Sequence, residues 1–162
     1  MAKVIMICGK ISSGKSTYAE RLRQKGHAVV LSVDEVMLSL FDPYLGEKHE
    51  EYASRVQRFL FKKSVELIAA GVDVILDWGF WSREDRRQAR EFYVKQGIAC
   101  EFHYVAVDNA EWKRRVAQRN VQVLAGKSDA YFVDENLMKK FEEKFEEPEK
   151  GEIEVWMEEK GK

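Results

Sequence analysis

The chain has 162 residues, 45% hydrophobic and 34% charged, with a formal net charge of −1. That size and balance suit a single globular unit with a sizeable core, and the near-neutral total excludes a broadly basic nucleic-acid binder or a polybasic membrane binder. No apolar run approaches a membrane span and the N-terminal one is too short for a secretory leader, so a cytoplasmic protein is expected.

Val4-Ile5-Met6-Ile7-Cys8 is a short continuous apolar run, the pattern of a strand buried in a parallel sheet. Gly9-Lys10-Ile11-Ser12-Ser13-Gly14-Lys15-Ser16 follows, with Thr17 next, and fits the phosphate-binding pattern of Gly, four residues, then Gly-Lys-Ser/Thr. Gly9 and Gly14 free the backbone to turn successive N–H groups inward onto an anion. Lys15 brings a charge on a long stem to the β- and γ-phosphates, and the Ser16 hydroxyl suits Mg²⁺. Tyr18, Ala19 and Leu22 continue at helical spacing to a stop at Gly26, so the helix starting near Lys15 aims its positive end at the same phosphates. Strand, loop and helix occur in the order that nucleotide binding requires.

Ala28 to Ser32 reads as a second buried strand, with Asp34-Glu35 heading a short helix through Leu40 and turn chemistry at Asp42 to Gly46. Tyr52, Val56, Phe59, Leu60, Lys63, Leu67 and Ala70 mark a long amphipathic helix over about 50–70, ended by Gly71. Val72 to Asp77 is the third strand, Trp78-Gly79-Phe80-Trp81 the loop beyond it, and Ser82 with Asp85 caps a helix over about 83–96. Cys100 to Val107 forms a fourth strand, followed by a helix from Asp108 or Asn109 to about Arg119. Residues 121–131 read as a mobile connection, 134–145 as a further helix and 153–156 as a last short strand. Strands alternating with helices, without repeats or linkers, indicate an α/β parallel sheet in one domain over 1–162. Cys8 and Cys100 lie in apolar strand-like runs and read as small buried hydrophobes.

Ligands of such sheets bind beyond the carboxyl ends of the strands, which ranks the acidic residues. Asp73 opens the third strand and points away from the site. Asp77 ends it beside the phosphate loop and suits a Mg²⁺ carboxylate, acting directly or through water. Asp34, just past the second strand, is placed to take the proton of an attacking hydroxyl, with an ordinary helix cap as its plain alternative and Glu35 as the fallback. Arg115 and Arg119 lie four apart on one helical face leading into the Gly126 connection, so they are the expected charge-stabilising arginines of a lid over about 115–132. Arg83, of the Arg83, Arg86 and Arg87 cluster, is the expected arginine on the acceptor side. Trp78, Phe80 and Trp81 are the expected pocket wall for a ring-bearing acceptor. Phe141, Phe145 and Trp156 read as core or covering. From Asp134 onward eleven acidic residues face six basic ones, leaving the site on the more basic remainder of the chain.

The phosphate loop, Leu31-Ser32-Val33-Asp34-Glu35, the run Leu76 to Arg83, and Trp112-Lys113-Arg114-Arg115 to Arg119-Asn120 together resemble the small P-loop kinases. That group includes relatives of polynucleotide kinase, zeta toxin, chloramphenicol phosphotransferase and gluconate kinase. The nearest resemblance is to a bacterial branch called ATP-binding protein or predicted kinase, over about residues 3–150. The resemblance implies a three-layer, nucleoside-kinase-like fold, ATP with Mg²⁺ as donor, Asp34 as general base and arginines on a lid from Arg115 to Asn120. Gly9, Ser12, Ser13, Gly14, Lys15, Ser16 and Thr17, with Arg119, are then the nucleotide-binding set. Phe145-Glu146-Glu147-Pro148 is similar to a Phe-Glu-x-Pro segment near the adenine in polynucleotide kinase relatives. The Trp-Gly-Phe-Trp loop and the lack of an obvious basic groove depart from the polynucleotide kinases. The acceptor expected is therefore the hydroxyl of a metabolite, nucleoside or antibiotic, with a nucleic-acid 5′ end as the runner-up. An ATPase switch is the alternative of another class. A GTPase is disfavoured because no Asn-Lys-x-Asp sequence occurs.

Overall fold

The computed structural model describes residues 1–128 and 130–158. Its strands are β1 (Lys3–Cys8), β2 (Ala28–Leu31), β3 (Asp73–Gly79), β4 (Ala99–Ala106) and β5 (Val155–Glu158). Its helices are α1 (Lys15–Lys25), α2 (Val33–Leu40), α3 (Lys48–Ala69), α4 (Arg83–Val94), α5 (Asn109–Leu124) and α6 (Glu135–Lys144), with a single 3₁₀ turn at Lys150–Glu152. All strand pairs are parallel and the sheet order is β2-β3-β1-β4-β5. β1 thus lies at the centre, where the chain leaves first to one side and later to the other. In open α/β sheets the crevice at that reversal is where ligands bind. Among the described residues no helix is long and apolar enough to cross a membrane.

The alternation of side chains along β1 explains the layers. Val4, Met6 and Cys8 face one side, packing with Val74, Leu76, Phe102, Ala89 and Tyr93 under α3 and α4. Ile5 and Ile7 face the other, packing with Ile75, Val105 and with Tyr18 and Ala19 of α1. A strand covered on both faces must be apolar at every position, which is why the run Val4–Cys8 was readable as a buried parallel strand. A third cluster joins Ile11 of the phosphate loop to Trp112 and Val116 of α5 and to Val133. Cys8 is fully buried, and burial pushes its thiol up to about 11, so it acts as a small hydrophobe. Cys100 is half-buried.

Several boundaries differ from the sequence expectation. β3 runs through Trp78 and Gly79, two residues placed in a loop from sequence, because the ladder skips there: Ile7 pairs with Asp77 but Cys8 pairs with Gly79. This irregularity leaves Trp78 as the extra residue, a device that bends a strand beside a functional loop. α5 continues to Leu124 instead of ending near Arg119, since residues 120–124 hold no Gly or Pro to break the helix before Gly126. β5 pairs at 155–158 because the 3₁₀ turn takes up Lys150–Glu152. Residues 159–162 of the expected 1–162 unit lie outside the described residues.

Candidate functional site

The phosphate loop is closed by contacts that its glycines permit. The Gly9 N–H donates to Gly79 O at 2.9 Å, and Ser13 N–H to Lys10 O at 3.2 Å. A Cβ on Gly9 would lie 2.8 Å from Ser13 Oγ and 2.9 Å from Val105 O, so no larger residue fits without moving backbone. Gly14 (φ 101°) and Ser12 (φ 59°) hold left-handed conformations, the pattern that turns consecutive N–H groups to one side. Gly14 is also the cap of α1, which has no side-chain cap and no acidic residue in its first turn. Its N–H groups and positive dipole end therefore face the loop unopposed. Ser13 is fully buried with its hydroxyl lacking a hydrogen-bond partner, and Lys15 Nζ donates to Lys10 O at 3.1 Å across the loop. These features fit a bound phosphate chain.

We expect Gly9→Ala to leave the far-ultraviolet circular dichroism unchanged while weakening ADP·Mg binding more than about tenfold, because the collision with Val105 O shifts the loop by its backbone. Isothermal titration calorimetry reads this directly. Wild-type affinity in the variant would show that the tight fit at Gly9 is irrelevant to the ligand.

The carboxylates occupy the same rim. Ser16 Oγ donates to Asp77 Oδ2 at 2.8 Å, so one hydroxyl and one carboxylate stand together at the start of α1. Hard oxygen donors of this kind suit Mg²⁺, which takes few protein ligands and keeps waters and phosphate oxygens for the rest. No group of three or more His, Cys, Asp or Glu side chains able to hold a metal occurs among the described residues. Asp73 lies at the far end of β3, accepting from the Lys3 N–H at 2.8 Å. Asp34 is the second residue of α2. The cap is Ser32, whose Oγ accepts from Glu35 N–H at 3.2 Å, so the capping role open to Asp34 on sequence alone is already filled. Asp34 is exposed on the cleft wall.

α5 closes the other side, and its grip on the loop was not legible from spacing. Trp112, with no exposed surface, donates Nε1–H to Ile11 O at 2.8 Å. Arg115 donates Nη1–H to Ser13 O at 3.0 Å and Nε–H to Glu111 at 2.9 Å, while Arg119 donates Nη1–H to Ser12 Oγ at 3.1 Å. Hydrogen bonds from Arg114 and Arg115 hold the Glu111 carboxyl down at about 2. Arg119 Nε is buried without a hydrogen-bond partner; burial lowers the pKa of this guanidinium and the Asp34 carboxylate raises it. Burial raises the pKa of Tyr131, and the Asp34 carboxylate adds to it. Asn120 pins the connection after α5 through Nδ2–H to Val133 O (2.6 Å) and Oδ1 to Val133 N–H (2.8 Å). Tyr131 then meets His49 of α3 edge-on, with ring centres 5.6 Å apart. Of the expected 115–132 lid, the two arginines therefore sit on a helix bonded to the phosphate loop, and Asp129 lies outside the described residues.

The expected acceptor residues fare unevenly. Trp78 donates its indole N–H to Leu31 O at 2.9 Å, stacks on Phe80 and meets Phe61 edge-on. Phe80 is 4% exposed and belongs to the core. Trp81 is half-buried against Phe141. All three border the cleft, yet Trp78 and Phe80 are chiefly packing residues. Arg83 is exposed, pairs with Glu149 at 2.8 Å and is not part of the cleft wall. The sequence could not separate it from its neighbour Arg86, which is buried.

These parts enclose an open cleft of about 2390 Å³, running from Lys15, Ser16 and Thr17 past Asp34 to α3, with Arg119 and Tyr131 opposite. Single small-ligand pockets span roughly 300–1,000 Å³, so this cleft has room for a nucleotide and a second molecule together.

A family model described as an AAA domain (AAA_33) matches residues 4–148. No curated protein matches the chain. Among solved structures, an unliganded sugar kinase from Janibacter sp. HTCC2649 is 17% identical, with a TM-score of 0.64, covering 98% of this chain and 86% of that one. A putative kinase from Chloroflexus aurantiacus is 14% identical, with a TM-score of 0.71 and coverages of 97% and 86%. An APS kinase from Mycobacterium tuberculosis, in complex with AMPPNP and APS, is 19% identical, with a TM-score of 0.65 and coverages of 97% and 88%. At these identities the likeness shows the fold: an α/β P-loop NTPase of the kinase-like kind.

Proposed function

The chain belongs to the AAA_33 family of small P-loop kinases, and on that premise we propose that it transfers the γ-phosphate of ATP to the hydroxyl of a small molecule. The observation that carries this reading is that Asp34 and Arg119 line one cleft with Lys15, Ser16 and Asp77, with the Asp34 carboxylate acting on the Arg119 guanidinium. A nucleotide-binding loop needs only the latter. A free carboxylate facing a guanidinium beyond the phosphates is what phosphoryl transfer to a hydroxyl adds.

In this reading the loop N–H groups, Ser13 Oγ and the start of α1 cradle the phosphates, and Lys15 turns from Lys10 O to the β- and γ-oxygens. Ser16 and Asp77 would hold Mg²⁺, which supplies neutralising charge on the phosphates when bound. The acceptor enters between α2, α3 and the segment carrying Tyr131. Its oxygen attacks the γ-phosphorus while Asp34 takes the hydroxyl proton, the bond from that phosphorus to the β,γ-bridging oxygen breaks, and ADP leaves. Arg119 stabilises the charge on the moving phosphoryl group, and Arg115 holds the loop through Ser13 O. Trp81 and Tyr131 supply rings at the acceptor end. Neighbours named as sugar and APS kinases have the same reaction class in their names.

Incubation with ATP, Mg²⁺ and a pooled set of metabolites, nucleosides, antibiotics and oligonucleotide ends tests this by mass spectrometry. We expect a phosphorylated product that Lys15→Ala fails to make. ADP formed at equal rate with and without every acceptor would instead make the protein an ATPase switch.

A further inference from the structure

Outside the cleft, one buried charge is unexplained by the chemistry above. Arg86 of α4 is 2% exposed and lies among core residues. Its Nη1–H donates to Phe80 O at 2.8 Å and to Trp81 O at 3.2 Å, and lies 4.0 Å from Cys8 Sγ; its Nε–H donates to Glu152 at 3.0 Å, and its Nη2 has no hydrogen-bond partner. An apolar side chain at such a place commonly serves stability as well as a buried ion pair does. What an apolar side chain lacks is a planar group whose Nη1 reaches two successive carbonyls while its Nε holds a carboxylate on another edge.

Those carbonyls belong to a strained turn. Gly79 has φ 89° and Phe80, which is not a glycine, has φ 47°. Non-glycine residues hold such a conformation only where surrounding contacts over-determine it. Here the contacts are Arg86, the Cys8 thiol, whose Sγ donates to Phe80 O at 3.5 Å, and the Glu146 N–H, which donates to Trp81 O at 2.7 Å. The same turn presents Gly79 O to the Gly9 N–H, the first peptide of the phosphate loop. Glu152 is itself fixed by a reciprocal capping box with Glu149, its Oε2 accepting from the Glu149 N–H at 2.7 Å. A continuous chain of contacts thus runs from the 3₁₀ turn through Arg86 and the Phe80–Trp81 carbonyls to Gly79 and Gly9.

We infer that Arg86, held by Glu152, is a positioning residue for the phosphate loop, fixing the turn from which Gly79 O sets Gly9. The inference rests on the nucleotide-binding half of the proposed function and not on the transfer step. Consequently Glu152, which lies outside the cleft wall, tunes nucleotide affinity from a distance.

The test is amide hydrogen exchange by NMR on the ligand-free protein, followed by calorimetric titration with ADP·Mg, for wild type, Arg86→Lys and Glu152→Gln. Lysine keeps the charge but has one nitrogen, which cannot hold the Phe80 and Trp81 carbonyls and Glu152 together. Glutamine keeps an oxygen acceptor for Arg86 Nε and disturbs folding little. We expect Gly9 exchange to quicken about tenfold in Arg86→Lys, and about threefold in Glu152→Gln, while Met6 in the middle of β1 is unchanged. ADP·Mg affinity should fall in the same order. Equal quickening at Gly9 and Met6 would make Arg86 a general stabiliser only, and unchanged Gly9 exchange would remove the contact chain; either overturns the inference. A wild type that binds ADP·Mg but transfers nothing overturns the kinase reading and leaves the exchange result to decide this one.

Discussion

Asp34→Asn is expected to lower phosphoryl transfer by about two to four orders of magnitude while ADP·Mg affinity stays within about twofold of wild type. The substitution keeps the shape and removes the one property that the proposed role needs, a lone pair basic enough to take the acceptor proton. Two features make the outcome interpretable. Ser32 caps α2, so no cap is lost, and the exposed position limits the change in stability to about 0.5 kcal/mol. Ser16 and Asp77 bond each other and not Asp34, so nucleotide binding is read separately from transfer. The check is a transfer rate at saturating ATP beside a titration of the same preparation. Full transfer activity in Asp34→Asn would remove Asp34 as the base and move attention to Glu35.

Arg119→Ala is expected to reduce the maximal transfer rate by about two to three orders of magnitude, with a smaller loss of nucleotide affinity. Arg119 contacts the loop through Ser12 Oγ, keeps a buried Nε without a hydrogen-bond partner, and feels the Asp34 carboxylate across the cleft. A guanidinium poised between loop and base matters most when charge builds on the group in flight. Arg115→Ala is the comparison, because Arg115 grips Ser13 O and Glu111 and should act chiefly on affinity. Single-turnover rates and titrations of both variants separate the two roles. If Arg119→Ala merely weakened ATP binding, Arg119 would be a clamp on the loop like its neighbour.

What was legible in the sequence follows from what backbone geometry demands of residue type. Gly9 and Gly14 are required by a close approach and a left-handed turn, so the loop announced itself. The strands of a sheet covered on both faces must be apolar, so β1 and the core of β3 did too. The Trp78–Trp81 stretch was harder, because an aromatic beside a glycine looks alike whether it walls a pocket or fills a core. Burial of Phe80, the Trp78 indole bond to Leu31 O and the contact of Trp81 with Phe141 sort these rings, and none of them leaves a mark in the spacing. Arg83, Arg86 and Arg87 present the same difficulty. One pairs with Glu149 on the surface, one is buried, and one bonds Glu84 and Glu91 along its own helix. Sequence spacing put all three near the first turns of α4 but carried no signal for which would meet Glu152, 66 residues later.

The central place of β1 has a consequence for the order in which the molecule becomes competent. The residues that set the phosphate loop lie far downstream of it: Asp77 and Gly79 on β3, then Trp112, Arg115 and Arg119 on α5. Contacts of such long sequence separation form late, after the closure entropy of the intervening chain has been met. A nascent chain therefore carries the binding motif once β1 and α1 have emerged, well before β3 and α5 complete a binding site. Nucleotide cannot shepherd the early stages of folding, and prematurely terminated chains ending before α5 would not sequester it.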